Sequence, residues 1–284
     1  MYIEDYSDME ETLPAIGWAD AIDEALLARD RQAAVIHFYL PEAAHPGEAI
    51  SFITERLAAE GIAHELAAAS VSEEDWAENW KQYYKPERVG RRLVIRPSWE
   101  PYIQREDDIV IDLDPGSAFG TGQHETTRLC LELLEQNVRP GARVLDMGCG
   151  SGILSIAVLK LGAARAVAVD IDPHAADTAA RNAAANGFGG EAFIALAGNI
   201  LENPELSKTI GGGYGLIVAN IVADVILAMR MIFFQKLKAG GRLIVSGIIE
   251  PRADEIEQAL CAAGFEIKER RALRGWIAMV VTRH

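Results

Sequence analysis

The sequence predicts an α/β protein, with a doubly wound sheet preceded by a small acidic α+β module. Three observations carry that expectation. Val144–Pro173 reads as strand, glycine loop, helix, strand and acid. Apolar strand-like runs then alternate with helix-period segments almost to the carboxyl end. Charge divides the chain: residues 1–80 hold 18 acidic and 3 basic side chains, whereas residues 81–284 hold 24 of each. The whole net charge of −15 therefore sits in the first part.

The chain has 284 residues, 50% of them hydrophobic, enough for one large core or two modest ones. It contains no apolar run long enough to span a bilayer, so no membrane partner is expected. Cys130, Cys149 and Cys261 are scattered without metal-like spacing, so no metal site is expected and a reducing, cytoplasmic compartment suits the chain. An acidic module beside a neutral one argues against nucleic acid as a direct partner. It suits a basic protein partner, or simply a solvated surface.

In chain order, Tyr2–Asp5 is a short strand and Trp18–Ala28 a helical piece. Ala34–Leu40 reads as a strand stopped by Pro41. Glu48–Glu60 sets Ile50, Ile53, Leu57 and Ala58 at helical spacing before Gly61, and Ile62–Ala68 is the next strand. Ser72 opens a helix with acids in its first turn, ending near Pro86. A basic cluster (Lys81, Lys85, Arg88, Arg91, Arg92 and Arg96) surrounds the strand-like Leu93–Ile95 and reads as a connector with solvated charges. The expected boundaries are a first module at 1–70, a helical and basic connector at 71–90 and the main domain at 91–284.

Ile109–Leu113 is a strand. The loop after it, with glycines at 116, 120 and 122, runs into a helix with Thr121 as N-cap and Leu129, Leu133 and Leu134 on its apolar face. A helix start so rich in glycine and hydroxyls suits a carboxylate ligand, with Thr127 as the candidate polar contact. His124 and Glu125 are adjacent and diverge, which makes them surface or positioning residues rather than an acid–base pair. Beyond Asp170 come a helix at His174–Asn186, a strand at Ala192–Leu196, and a buried strand at Leu216–Ala219 ending at Asn220. The helix Val222–Leu237, strand Leu243–Ser246 and helix Ala253–Ala263 follow. Phe265–Glu269 and Trp276–Thr282 have no helix between them, which predicts a closing hairpin with one reversed strand.

Gly148, Gly150 and Gly152 follow the strand Arg143–Met147. Glycines permit positive φ and close approach of a ligand to the backbone. The helix that follows offers free N–H groups and the positive end of its dipole. Asp170 lies 22 positions after Gly148, where an acid can bond the two ribose hydroxyls of an adenosine. The spacing is GxGxG rather than GxGxxG, which disfavours an NAD-dependent oxidoreductase. Cys149 has no base beside it and reads as a small filler side chain.

The segments D-P-G-S-A-F-G-T-G-Q-H-E-T-T, V-L-D-M-G-C-G-S-G-I-L-S-I-A and I-V-A-N-I, in this order, resemble those of S-adenosylmethionine (SAM) methyltransferases. Within these, the chain is similar to the ribosomal protein L11 methyltransferase family, closely from about Trp76 to Ile221. W-A-E-N-W-K-Q-Y-Y-K-P and P-S-W-E-P-Y resemble that family's connector. The resemblance implies a seven-stranded, doubly wound, Rossmann-like methyltransferase sheet behind a small ferredoxin-like amino-terminal domain that recognises substrate. It implies SAM as cofactor, leaving as S-adenosylhomocysteine, and methylation of lysine side chains and the amino-terminal α-amine of basic ribosomal protein L11. Cofactor contacts carry over to Thr127, Gly148, Asp170 and Asn220, and Gly150 of the same glycine loop is a further cofactor-binding candidate. Asn220 is also expected to orient the reacting amine, and Phe119 to wall the pocket.

Two departures accompany the resemblance. Gly215 stands where such enzymes often carry an acid. Only the second half of a ferredoxin-like module is visible before Ser72, so that module is expected to lack its first strand and helix. Two other readings stay open: a lysine methyltransferase with a different protein acceptor, and a non-catalytic SAM-binding partner of the ribosome.

Overall fold

The computed structural model describes residues 2–4, 35–37, 84–114, 122 and 124–283. The chain divides into two compact units, Met1–Glu73 and Glu74–His284. In the first unit, β1 (Tyr2–Glu4) and β2 (Val35–His37) pair antiparallel with Ile3 opposite Ile36. The helices expected at 18–28, at 48–60 and from 72 onward, the strand at 62–68, and Lys81 lie outside the described residues.

The second unit opens with a three-stranded sheet. β4 (Leu93–Pro97) pairs antiparallel with β3 (Glu87–Val89) and parallel with β5 (Ile109–Leu113). Strand pairing therefore joins residues on both sides of position 90. Of the basic cluster, Lys85, Arg91 and Arg92 are exposed as a solvated connector predicts, but several members also meet acids. Arg96 meets Asp112 at 2.6 Å, Lys85 meets Glu100 at 2.8 Å, and Arg88 pairs with the buried Asp108. The strands turn these arginines toward neighbouring acids. The Tyr102 hydroxyl, with help from the Arg105 N–H and Arg88, holds the Asp108 carboxyl down to about 2.

The helix α1 (Glu125–Asn137) follows, and its Glu135 accepts the N–H groups of Arg91 and Arg92 at 2.8 and 2.9 Å. That pins the β3–β4 turn to the helix. His124, not Thr121, caps α1: its extended backbone lets Nδ1 accept from the Thr126 N–H. Thr121 itself lies outside the described residues.

From here strands and helices alternate. β6 (Arg143–Met147), α2 (Ile153–Lys160), β7 (Arg165–Asp170), α3 (Pro173–Ala185) and β8 (Phe193–Ala197) form one half. The other half holds α4 (Pro204–Ile210), β9 (Tyr214–Asn220), α5 (Ala223–Lys236), β10 (Leu237–Ile249), α6 (Ala253–Ala262), β11 (Phe265–Leu273) and β12 (Trp276–Arg283). The seven strands lie in the order β11-β12-β10-β9-β6-β7-β8, and only β12 runs against the others. The expected doubly wound sheet and reversed strand are both present. Arg274 and Gly275, with φ of 46° and 78°, make the two-residue turn that closes the β11–β12 hairpin.

The central strands are apolar because both of their faces are covered. Alternate residues point to opposite sides. Val144, Ala166, Ala168 and Val218 join the core that includes α1, α2 and α3 residues, while Leu145, Val167 and Ile217 join the one that includes α5 and α6 residues. Ile217 is fully buried at the middle of β9. Replacing it by Ala should lower the unfolding free energy by about 2–5 kcal/mol, read from urea denaturation. A loss below about 0.5 kcal/mol would contradict this packing.

Candidate functional site

Strand order reverses between β6 and β9: β7 and β8 lie on one side of β6, while β9 and β10 lie on the other. In an open α/β sheet the crevice at such a switch point, outside the carboxyl ends of the strands, is where ligands bind. Here β6 delivers the glycine loop, β7 delivers Asp170 and β9 delivers Asn220 to one edge. Met147, Gly148, Gly150, Asp170, Asn199, Leu201 and Asn220 are among the lining of a cleft of about 420 Å³ there.

The loop is built from main-chain hydrogen bonds. Gly148 and Cys149 both donate to the Val169 carbonyl, at 2.8 and 3.1 Å, and Gly152 donates to the Cys149 carbonyl at 2.8 Å. Gly148, at φ 75°, leaves no room for a side chain: a Cβ there would lie 2.3 Å from Ile221 Cγ2. Asp170 is held from both sides, accepting from the Gly150 N–H at 2.9 Å and from the Asp172 N–H at 3.0 Å. Its carboxylate is therefore fixed at the mouth of the strand rather than free to rotate.

Across the loop, Asn220 Nδ2 donates to Thr127 Oγ1 at 3.4 Å. Thr127 is fully buried in the first turn of α1, and Asn220 is half-buried at the end of β9. The structure thus brings together Gly148, Gly150, Asp170 and Asn220 along the cleft, and links Thr127 to them through Asn220. Phe119 lies outside the described residues. His124 and Glu125 face different partners: the histidine ring packs edge-on against Trp276 at 5.1 Å, while Glu125 pairs with Arg274 at 3.4 Å. Burial pushes the Cys149 thiol well above its ordinary range, which leaves it a packing residue and not a nucleophile.

Two features escaped the sequence reading. Ile171 and Val222, 70% and 64% exposed, stand with Leu201 and Val225 among the residues lining the cleft and give it an apolar wall. The signal was an isoleucine placed between two acids in D-I-D-P, at a strand end where exposure is costly. The second is Asp146, fully buried just before the glycine loop. Its Oδ2 accepts from the Ser155 hydroxyl at 2.7 Å, while Oδ1 has no partner among the described residues. Burial pushes this carboxyl up to about 7, although the Ser155 hydrogen bonds pull it down. A carboxylate inside an otherwise apolar strand, V-L-D-M, was the clue.

The profile described as ribosomal protein L11 methyltransferase (PrmA) matches residues 9–284. A protein of Pelotomaculum thermopropionicum named ribosomal protein L11 methyltransferase is 52% identical over 219 residues, covering 77% of this chain and 69% of its own. One of the same name from Caldanaerobacter subterraneus subsp. tengcongensis is 39% identical and covers 98% of this chain and 89% of its own. The crystal structure of a ribosomal protein L11 methylase from Lactobacillus delbrueckii subsp. bulgaricus superposes with a TM-score of 0.62 at 36% identity. That match covers 71% of this chain and all of the other.

Asp146 gives the unliganded protein a pH signature. Its folded value lies above the ordinary 3.8, so between pH 4 and 7 the folded state holds a proton that the unfolded chain releases. The stability tied to this group is therefore present at low pH and lost as pH rises through about 7. Asp146→Asn should flatten that part of the slope and stabilise the protein at about pH 8, as measured by urea unfolding at several pH values. An unchanged slope would rule out this assignment.

Proposed function

The chain belongs to the ribosomal protein L11 methyltransferase family, and from that membership we propose that it methylates amino groups of ribosomal protein L11, namely lysine side chains and the amino-terminal α-amine. The donor is SAM. The residues fit such a donor: the Gly148 backbone leaves a space that any side chain would fill, and Asp170 presents a fixed carboxylate where a ribose would lie. Thr127, Gly148, Gly150, Asp170 and Asn220 would hold the donor, which supplies an already activated methyl group.

What remains for the protein is placement. A lysine amine has an ordinary pKa of about 10.4 and attacks only when neutral. The apolar wall of Ile171, Leu201, Val222 and Val225 favours the neutral form by desolvation, without a dedicated base. The Asn220–Thr127 bridge is the observation that carries this reading. With Nδ2 committed to Thr127, the Asn220 side-chain carbonyl is left to accept an N–H from the incoming amine and aim its lone pair. Alignment of this kind is worth orders of magnitude in rate.

The acidic first unit is the proposed recognition module for residues 1–70, because 18 acidic against 3 basic side chains over residues 1–80 complement a basic protein. Incubation with methyl-labelled SAM and purified L11, followed by mass spectrometry of the product, tests the whole reading. Transfer to a different protein but not to L11 would favour the alternative acceptor. SAM binding without any transfer would favour a non-catalytic partner.

Asn220→Ala should lower the rate of methyl transfer by about 100-fold while shifting the unfolding midpoint little. Parallel loss of activity and stability would reject the orienting role. Raising salt from about 0.05 to 0.3 M should raise KM for L11 and leave SAM affinity nearly constant, because screening weakens only the charged protein contact. Equal change in both would remove the acidic unit from recognition.

A further inference from the structure

The amino ends of the parallel strands carry a second pocket, of about 170 Å³, on the edge of the sheet opposite the cleft. Its charged lining residues are all basic: Arg139 from the turn before β6, and Lys238 and Arg242 from the start of β10. Among the described residues none of the three pairs with a carboxylate. By contrast Arg88, Arg92, Arg96, Arg128, Arg252 and Arg270 each face one. Arg143 and Arg165, cross-strand neighbours at the same edge, also lack an acidic partner among the described residues, and the Nε of each is buried without a hydrogen bond. Like charges gathered without a counter-charge repel one another, and an anion relieves that repulsion.

The pocket is shaped as well as charged. Asn137, 8% exposed, donates to the Leu133 carbonyl at 2.7 Å and accepts from Arg242 Nη1 at 2.7 Å, which fixes the guanidinium at the rim. Gly215 forms part of the lining without a side chain of its own. A Cβ added there would sit 3.6 Å from the Lys238 ammonium and 3.8 Å from Ala142, in ordinary contact. An acid at 215 would thus neutralise Lys238 from within; glycine leaves the charge exposed to solvent and to ligand.

We propose that this pocket binds a phosphate group through Arg139, Lys238 and Arg242. Arginine and lysine donors at one edge suit a tetrahedral oxyanion, the guanidinium offering paired N–H groups and the ammonium a point charge. The division into an acidic module and a neutral one argues against nucleic acid only at the scale of whole domains, and a local site of this sign is not governed by it. Free phosphate and the phosphodiester of RNA share the chemistry, and experiment separates them. The pocket lies a full strand length, about 17–20 Å, from the cleft, so its variants leave donor binding intact.

Calorimetric titration of the full chain with inorganic phosphate, at ionic strength held constant with chloride, tests the site. A one-site isotherm is expected. Gly215→Asp and Lys238→Gln should each weaken binding about tenfold with SAM affinity within about twofold of the parent. Lys238 is exposed, so its replacement does not endanger folding. A second titration uses a short mixed-sequence RNA. If RNA binds and phosphate displaces it, the ligand is a nucleic-acid backbone, and Lys238→Gln should lower the salt slope by about one. If phosphate binds and RNA does not, the ligand is a free phosphate. Absence of phosphate binding beyond that of chloride, or variants that bind phosphate or RNA as the parent does, would overturn the site.

Discussion

The cleft depends on how tightly the backbone is packed around Ile221. A Cβ on Gly148 would approach Ile221 Cγ2 to 2.3 Å, and a Cβ on Gly247 would approach the Ile221 carbonyl oxygen to 2.4 Å. Both glycines have positive φ, 75° and 85°, where any other residue is strained. Ile221 also donates its N–H to the Ser246 carbonyl at 3.1 Å, which continues the β9–β10 ladder one residue past the strand. The residue after Asn220 is therefore held by the ends of β6 and β10 together. That close fit fixes the backbone from which Asn220 reaches Thr127, and couples the glycine loop to the opposite wall of the cleft.

Seen this way, the chemistry follows from rigidity rather than from reactive side chains. Cys149 is buried and inert, His124 is occupied in capping α1, and Asp170 has both oxygens bound to main-chain N–H groups. No described residue at the cleft is arranged as a nucleophile with its base. An activated donor needs none, because alignment and desolvation are enough to bring a neutral amine to it. Asp146 is the exception to economy: a buried acid with one oxygen unpartnered costs stability, and such costs persist at functional sites.

The sheet was legible because its strands are buried on both faces and its helices are apolar on one. Continuous runs such as L-I-V-A in β9 and the helix-period spacing of Ala253, Ile256 and Leu260 in α6 announce themselves. α4 did not, since its seven residues bury only Leu206 and Ile210, too short a stripe for periodicity, although Asn203 and Pro204 mark its start. β3, three residues long, is recognisable only by its pairing with β4. The glycines and Asp170 could be read from spacing within one βαβ unit. The Thr127–Asn220 bridge spans 93 positions, which no local pattern encodes, so it became visible only through family likeness and then geometry. The ion pairs of the basic cluster were hidden for the same reason: the acids that meet it lie at other points of the chain.

The two edges of the sheet divide the electrostatics. At the carboxyl ends the strands present the fixed carboxylate of Asp170 and the amide of Asn220 beside an apolar wall. At the amino ends of β6, β7 and β10 they present Arg143, Arg165 and Lys238, none of which pairs with a carboxylate among the described residues. Arg143 takes part in that asymmetry while its guanidinium donates to the Gly212 and Ile210 carbonyls, at 3.0 and 3.1 Å. Gly215 sharpens it, because the position tolerates a side chain in ordinary contact and yet carries none. The strands between are rigid spacers that keep the basic edge a strand length from the cleft, whose shape is set by Ile221 and the two glycines packed against it.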